Sequence, residues 1–485
     1  MQKTANTERK IRIIVCTVAV LLIVALVIFA VAAALGGGSG DMSAKEEILA
    51  NIAEAKLAEP GEYNYVESYL SDFGIGGYDA GKIRAAEGYF MSWYDGERRE
   101  PLSHAIECAE LYMENFYDTT EGRENITDML LKCYVASSGD PYAVYRTADE
   151  YVDYTEDLTG KFVGIGVSVM QEYQPNSYLI KSVLVVKVME NSGALAAGIQ
   201  AGDYIVSVNG KAIDEMSDVE FANAVRGEIG STVEIGVLRE GERKSFTVTR
   251  SQLVEKTVEY DMLENKIGYI ELSGFKGTIK DTKNYEGATA YQMEQALSFM
   301  FTNNAEGIII DVRNNPGGLL DSVVEVISLF VPEGTHITSY YSGDVTLGSE
   351  YASGRKDAID IPIVVLCNGY TASAGELFTS AMRDYNEMGL LDAKVVGETT
   401  YGKGIMQSSF PLPNEIFSDG STLTFTMAHY TSPDGENYQD RGITPGVIIT
   451  DEDTGTVWLD KAVDTMLDVL DGAEDVGTNN PGNAA

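Results

Sequence analysis

The longest apolar run, Ile13 to Leu35, is almost unbroken, and as a helix it would span about 34 Å, enough for a bilayer core. Lys3, Arg9, Lys10 and Arg12 precede it, while Gly36-Gly37-Gly38-Ser39-Gly40 and acidic residues follow. That asymmetry predicts an uncleaved anchor with its N-terminus inside and everything after residue 36 outside. The alternative is a cleaved signal peptide, with Ala32-Ala33-Ala34 ahead of the cut. Both export the rest of the chain. From Glu46 to Tyr151 the apolar spacing is helical in pieces, as in Ala105–Phe116 and Ile126–Ala136, with breaks such as Gly74-Ile75-Gly76-Gly77. Phe162 to Arg250 reads as strands with one amphipathic helix, Ser217 to Val225, in which Ser217 and Glu220 have capping-box spacing. From Ile267 strands alternate with helices: Ile267–Phe275, Ala288–Phe301, the apolar run from Ile308, then Ile361–Leu366. Alternation through residue 400 predicts an α/β core. The last residues, 471–485, are rich in Gly, Asn and Asp and predict disorder.

Composition narrows the chemistry. With 485 residues the chain can hold two or three domains. A net charge of −39 argues against nucleic acid and against docking of the folded part on an anionic membrane surface. There is no phosphate-binding fingerprint and no clustered metal-ligand spacing, so neither cofactor nor metal is expected. Cys16 lies in the apolar run and Cys367 ends a core strand, which leaves only Cys108 and Cys133 to pair. No structural disulfide is expected.

The densest candidate chemistry is Thr371-Ala372-Ser373-Ala374-Gly375-Glu376, between the buried-type strand Ile361–Leu366 and the helical run from Leu377. A serine on such a strand-to-helix turn meets free backbone N–H groups and the helix dipole, which favour the charge formed when a hydroxyl attacks a carbonyl. The plainer reading is that Ser373 caps the helix, with Glu376 completing a capping box. Only His104, His336 and His429 could serve a Ser/His/Asp triad, and His429 sits with Leu423, Phe425 and Met427 on one face of a strand. A better partner for Ser373 is Lys403, in Thr399–Ser409. Extended backbone there would project Lys403, Ile405 and Gln407 to one side. A lysine acts as a base only when neutral, which burial promotes, and the Gln407 amide could hold the amine. The plainer reading of Lys403 is a solvated turn residue between two glycines. Pro316-Gly317-Gly318, after Ile308–Asn315, leaves backbone bare enough to supply oxyanion donors.

The ordered motifs DVRNNPGG, TASAGE and GKGIMQ together resemble the carboxyl-terminal processing (tail-specific) family of serine proteases, over roughly residues 103 to 450. That resemblance implies a crotonase- and Clp-protease-like core and a Ser-Lys dyad supported by Gln. Carried over by motif, the nucleophile is Ser373, the base Lys403, the supporting amide Gln407, and the oxyanion donors are the amides of Ala374 and Gly318, with Gly317 an alternative. It also implies a PDZ domain ahead of the core. Gly164-Ile165-Gly166-Val167 resembles the PDZ carboxylate-binding loop, and Gly193–Gly210 is similar to the PDZ pattern that follows. Arg226 resembles a family arginine that couples the PDZ domain to the active site; as a lone arginine it reads equally as solvated surface. Gly442-Ile443-Thr444-Pro445 also resembles the family, although Gly446 stands where an acidic residue often follows.

The expected organisation is a cytoplasmic N-terminus (1–12), a transmembrane helix (13–35), a linker or spacer (36–102), a helical region (103–157), a PDZ domain (158–252), a serine protease domain (253–470) and a tail (471–485). The expected function is membrane-anchored, extracytoplasmic endopeptidase action on C-terminal tails of partly unfolded proteins, with no cofactor. The resemblance further implies a gated enzyme able to form a homodimer. The alternative is a catalytically inactive PDZ scaffold that binds exported C-termini. A trypsin-like PDZ protease ranks last, because the chain offers no G-x-S-G-G and places the PDZ pattern before the catalytic one.

Overall fold

The computed structural model describes residues 43–57, 65–175, 179–281, 285–413, 418–450 and 457–478. The apolar run 13–35 lies outside the described residues, and none of the described helices is long and apolar enough to cross a membrane. Contacts divide the chain into two units. Residues 43–78 and 100–129 form the first, built on helices Ala44–Ala55, Val66–Asp72 and Pro101–Asn115. Ser43 and Glu46 make the capping box of the first helix, whose Ile48 and Ile52 are buried four residues apart on one face. Cys108, Cys133 and Cys367 are buried, and among the described residues they form no disulfide.

The second unit comprises residues 79–99 and 130 onward. Its elements, in chain order, are α1 (Ala80–Trp93), β1 (Val144–Arg146), α2 (Ala148–Thr159), β2 (Lys161–Gly164), β3 (Val167–Tyr173), β4 (Ile180–Val188), β5 (Tyr204–Val208), α3 (Asp218–Val225), β6 (Thr232–Arg239) and β7 (Glu242–Thr249). The short β8 (Ser251–Val254) pairs with β2 and so closes off the strands between them. Strands β3 to β7 form an antiparallel sheet in the order β3-β4-β5-β6-β7, leaving β3 as an open edge. Its core holds Val183, Val185, Ile205, Ile235, Val237 and, from α3, Phe221.

The rest of the unit begins with β9 (Val258–Met262) and β10 (Ile267–Leu272), followed by α4 (Thr289–Thr302), β11 (Gly307–Asp311), α5 (Leu320–Ile327), β12 (His336–Ser342) and β13 (Val345–Tyr351). It continues with β14 (Ile363–Cys367), α6 (Ala374–Glu387), β15 (Ala393–Gly397), β16 (Ile405–Pro411), β17 (Thr422–Tyr430), β18 (Val447–Ile448) and α7 (Val457–Thr478). A six-stranded sheet runs β9-β10-β11-β14-β15-β18, parallel except at β9. Every residue of β11 and β14 is buried, as the unbroken apolar runs predict for strands covered on both faces. Ile308 and Ile310 face Met293, Val323 and Phe378 of α4, α5 and α6. Ile309 and Val364 face Ala462 and Met466 of α7 on the other side.

A second sheet pairs β17 with β1, β12 and β16. Residues 80–93, read above as part of a linker or spacer, are helix α1. Its Phe90 lies against Phe425 of β17 at 5.3 Å between ring centroids, and its Tyr89 stacks on Phe410 of β16 at 5.0 Å. These partners are far along the chain, so local patterning cannot show the pairing.

Candidate active site

The site is assembled where β11 and β14 end side by side. Their loops are stapled: Thr371 Oγ1 donates to the Val312 carbonyl at 2.8 Å, and the Ala372 amide to the Asn315 carbonyl at 2.9 Å. Asn314 and Asn368 exchange two bonds of 3.0 Å. Beneath them the Asp311 carboxylate, buried, accepts from Arg313 Nε and from the Tyr269 hydroxyl at 2.7 Å. These bonds fix the turn Asn315-Pro316-Gly317-Gly318 against Ser373.

Ser373 is not an ordinary cap. Its φ of 54° and ψ of −119° lie outside the extended region that cap residues occupy, even though Ser373 and Glu376 keep the capping-box arrangement. The strain is held by Glu376, which is fully buried. Its carboxylate accepts four bonds: from the Ser373 amide at 2.9 Å, the Lys403 amide at 2.8 Å, the Gly402 amide at 2.6 Å and Thr400 Oγ1 at 2.6 Å. One side chain thus ties the serine turn to the lysine loop. Gly442 lies over that loop so closely that a Cβ there would sit 2.2 Å from the Thr400 carbonyl oxygen, and the Ile443 amide donates to Thr400 Oγ1 at 2.7 Å.

The two backbone donors are distinguishable. The Gly317 amide is engaged by Asn315 Oδ1 at 2.9 Å. Among the described residues no acceptor is bonded to the amides of Gly318 or Ala374. Gly317, at φ 107°, lies so near the serine that a Cβ would fall 2.8 Å from Ser373 Cβ. Gly318 is locked by the adjacent bonds of Phe275 to Gly317 O and of Leu319 to Phe275 O, each 2.9 Å.

Lys403 is half-buried, and burial lowers its pKa from the usual lysine range, against the opposing charges of Asp140 and Glu376. Its Nζ lies 4.2 Å from the Tyr142 ring centroid. Among the described residues no hydrogen bond joins Nζ to the Ser373 hydroxyl or to Gln407. The Gln407 amide donates instead to Thr426 Oγ1 at 3.3 Å. Lys403 precedes β16, while Gln407 lies within it opposite Thr426 of β17.

Sequence reasoning passed over Tyr430, whose hydroxyl donates to the Lys403 carbonyl at 2.8 Å and faces the Ser373 side chain. Burial pushes that phenol up, so it stays protonated. Strand alternation holds the signal, since Tyr430 lies on the face opposite its neighbour His429. His429 itself bonds Asp95 Oδ2 at 2.5 Å and stacks on Tyr341, half-exposed and engaged away from the serine.

In the antiparallel domain, Ile165 and Gly166 lead from β2 to the open strand β3. Among the described residues no acceptor is bonded to their amides. Gly164 ends β2 and Val167 opens β3. Gly166 has φ 83°, and a Cβ there would lie 2.2 Å from Ser192 Cβ. Arg226 ends α3 and forms an ion pair with Asp153 of α2. Arg250, missed in the sequence, closes the end of α3 by donating to the Ala224 and Val225 carbonyls at 2.9 and 3.0 Å.

Residues 266–449 match the model of peptidase family S41 and residues 163–249 that of a PDZ domain. A "Probable CtpA-like serine protease" of Staphylococcus haemolyticus is 31% identical over 341 residues, 70% of this chain and 63% of that protein. One of the same description from Staphylococcus aureus is 30% identical over 345 residues, 71% of this chain and 64% of that one. The chain therefore spans under two thirds of the length of these relatives. Among solved structures it is similar to the photosystem II D1 C-terminal processing protease, at 21% identity and a TM-score of 0.39, over 86% of this chain and 95% of that one. The chain thus carries a peptidase family S41 domain at residues 266–449 joined to a PDZ domain at residues 163–249, and over these it is similar to CtpA-like serine proteases.

Proposed function

We propose that the protein is a serine endopeptidase that captures the C-terminal tail of a partly unfolded protein and cuts it. The tail's carboxylate meets the free amides of Ile165 and Gly166, and its backbone adds to the open edge of β3 beside α3. Ser373 Oγ attacks the scissile carbonyl as Lys403 takes the hydroxyl proton, and the amides of Gly318 and Ala374 receive the oxyanion. Lys403 then returns the proton to the leaving amine as the C–N bond breaks. Water then attacks the acyl-enzyme as Lys403 takes its proton, and Lys403 returns that proton to Ser373 Oγ as the ester bond breaks. Gln407 supports the amine from the neighbouring strand once Lys403 turns from Tyr142 toward Ser373. Arg226, paired with Asp153, would report tail binding to the core, and the apolar N-terminus would hold the enzyme at the outer face of a membrane. A homodimer remains part of this reading on the family resemblance.

The observation that carries the reading is the Glu376 carboxylate, which binds the amides of both Ser373 and Lys403 beside two unbonded backbone donors. The test is cleavage of an unfolded protein by the full chain in detergent, beside Ser373→Ala and Lys403→Ala. Both variants are expected to be inactive while still binding a C-terminal peptide. Cleavage by Ser373→Ala would refute the assignment.

A further inference from the structure

The lysine's amine has one aromatic wall. Lys403 Nζ lies 4.2 Å from the Tyr142 ring centroid, and among the described residues it makes no hydrogen bond. Tyr142 belongs to none of the three catalytic motifs; it sits on the loop Ser138-Gly139-Asp140-Pro141, well over two hundred residues before Lys403. That loop is held by one carboxylate. Asp140 is 7% exposed, and its Oδ1 accepts the Tyr142 amide at 2.9 Å. The same carboxylate accepts the Thr426 amide at 2.7 Å and Thr426 Oγ1 at 3.1 Å. Thr426 Oγ1 in turn accepts the Gln407 amide at 3.3 Å. A single buried aspartate therefore fixes both the ring over the lysine and the amide assigned to support it.

We propose that Tyr142 is a positioning residue for Lys403: anchored by Asp140, its ring covers the amine, excludes water from it and limits its motion in the position from which it turns toward Ser373. This rests on the reading of Lys403 as the general base. An aromatic face stabilises an ammonium less than full hydration does, so covering the amine favours its neutral form while limiting its motion. The charged groups facing Lys403 are Asp140 and Glu376, which favour the ammonium. Tyr401 and Asp440 face Tyr142, and Tyr430 bonds the Lys403 carbonyl. Burial pushes the Tyr142 phenol up, so the ring stays neutral. Replacing Tyr142 removes neither carboxylate, so its effect reads the ring.

The experiment uses the full chain in detergent. It measures kcat and KM for an unfolded protein across pH, and the labelling rate of Ser373 by a fluorophosphonate on the same samples. Tyr142→Ala is expected to move the alkaline rise in kcat upward by about one pH unit, so that the rate near neutrality falls roughly tenfold with KM unchanged. The rate recovers to the parent's at high pH, and labelling follows the same curve. Tyr142→Phe, which keeps the ring, restores the parent's curve. Four results would overturn the proposal: an unmoved curve in Tyr142→Ala; a rate reduced equally at every pH, as from a collapsed loop; a faster rate near neutrality, as if the ring held the amine away; or Tyr142→Phe as impaired as Tyr142→Ala. Lys403→Ala separates the two levels. If it stays active, the dyad reading fails and this inference fails with it. If it is inactive while Tyr142→Ala matches the parent, the inference alone fails.

Discussion

Glu376→Gln is the substitution that probes the site's architecture most sharply. The carboxylate accepts bonds from three amides and one hydroxyl at 2.6 to 2.9 Å, and it is fully buried. A glutamine of the same shape has one oxygen only, so two of the four donors would face an NH2 group. A buried donor left without an acceptor costs about 1–3 kcal/mol, which puts the loss at roughly 2–6 kcal/mol. For a folding unit of 150–250 residues, where 1 kcal/mol shifts Tm by about 2–4 °C, a loss near 4 kcal/mol lowers the transition by about 8–16 °C. The chain relieves part of this by letting the Lys403 loop move away from the Ser373 turn. A displacement of about 1 Å between reacting groups costs about a hundredfold in kcat. The PDZ domain is untouched, so tail affinity stays at the parent's value. Calorimetry and cleavage kinetics on the parent and Glu376→Gln check this, with peptide binding as the control. A variant that melts with the parent and cleaves at the parent's rate would refute the argument that this carboxylate holds the dyad together.

Gly318→Ala would put a Cβ 2.0 Å from the Phe275 carbonyl oxygen at φ 143°, so the backbone must shift and carry its free amide away. Single-turnover kinetics should show kcat down about 10²–10³-fold with KM little changed. Gly166→Ala, whose Cβ would meet Ser192, should weaken binding of a labelled C-terminal peptide at least tenfold, about 1.4 kcal/mol, while leaving fluorophosphonate labelling of Ser373 intact. Lys403 has a folded pKa below its unfolded value, so between the two the unfolded state binds more protons and stability rises with pH. Lys403→Met should accordingly melt above the parent near neutrality, with the difference closing as pH approaches about 10.4.

Much of this architecture is legible in the chain because local chemistry and burial agree there. The run Ile361–Leu366 reads as a strand covered on both faces and is one over Ile363–Cys367, and Pro316-Gly317-Gly318 reads as bare backbone and does approach the serine. What eluded the pattern is non-local. Glu376 has the spacing of a capping-box acid, and only folding reveals that its second oxygen reaches Thr400 and Gly402. Helix α1 reads as part of a linker or spacer because its partners, Phe410 and Phe425, come from strands near the other end of the chain. Gln407 shares the alternation of the Lys403 segment, and only the folded pairing shows its amide donating to Thr426. His429 lies in β17, stacked on Tyr341 and bonded to Asp95, as a packed strand residue would, and Tyr430 on the opposite face is the residue that meets the Lys403 loop.

The central claim is that Ser373 and Lys403 act as one catalytic pair. The most direct test is to incubate the full chain with an unfolded protein over a pH series, beside Ser373→Ala and Lys403→Ala, and to identify fragments by mass spectrometry. The account predicts cleavage by the parent that rises with pH as Lys403 loses its proton, and silence from both variants. Cleavage that survives Lys403→Ala, or a parental rate flat from acid to alkaline pH, would contradict it.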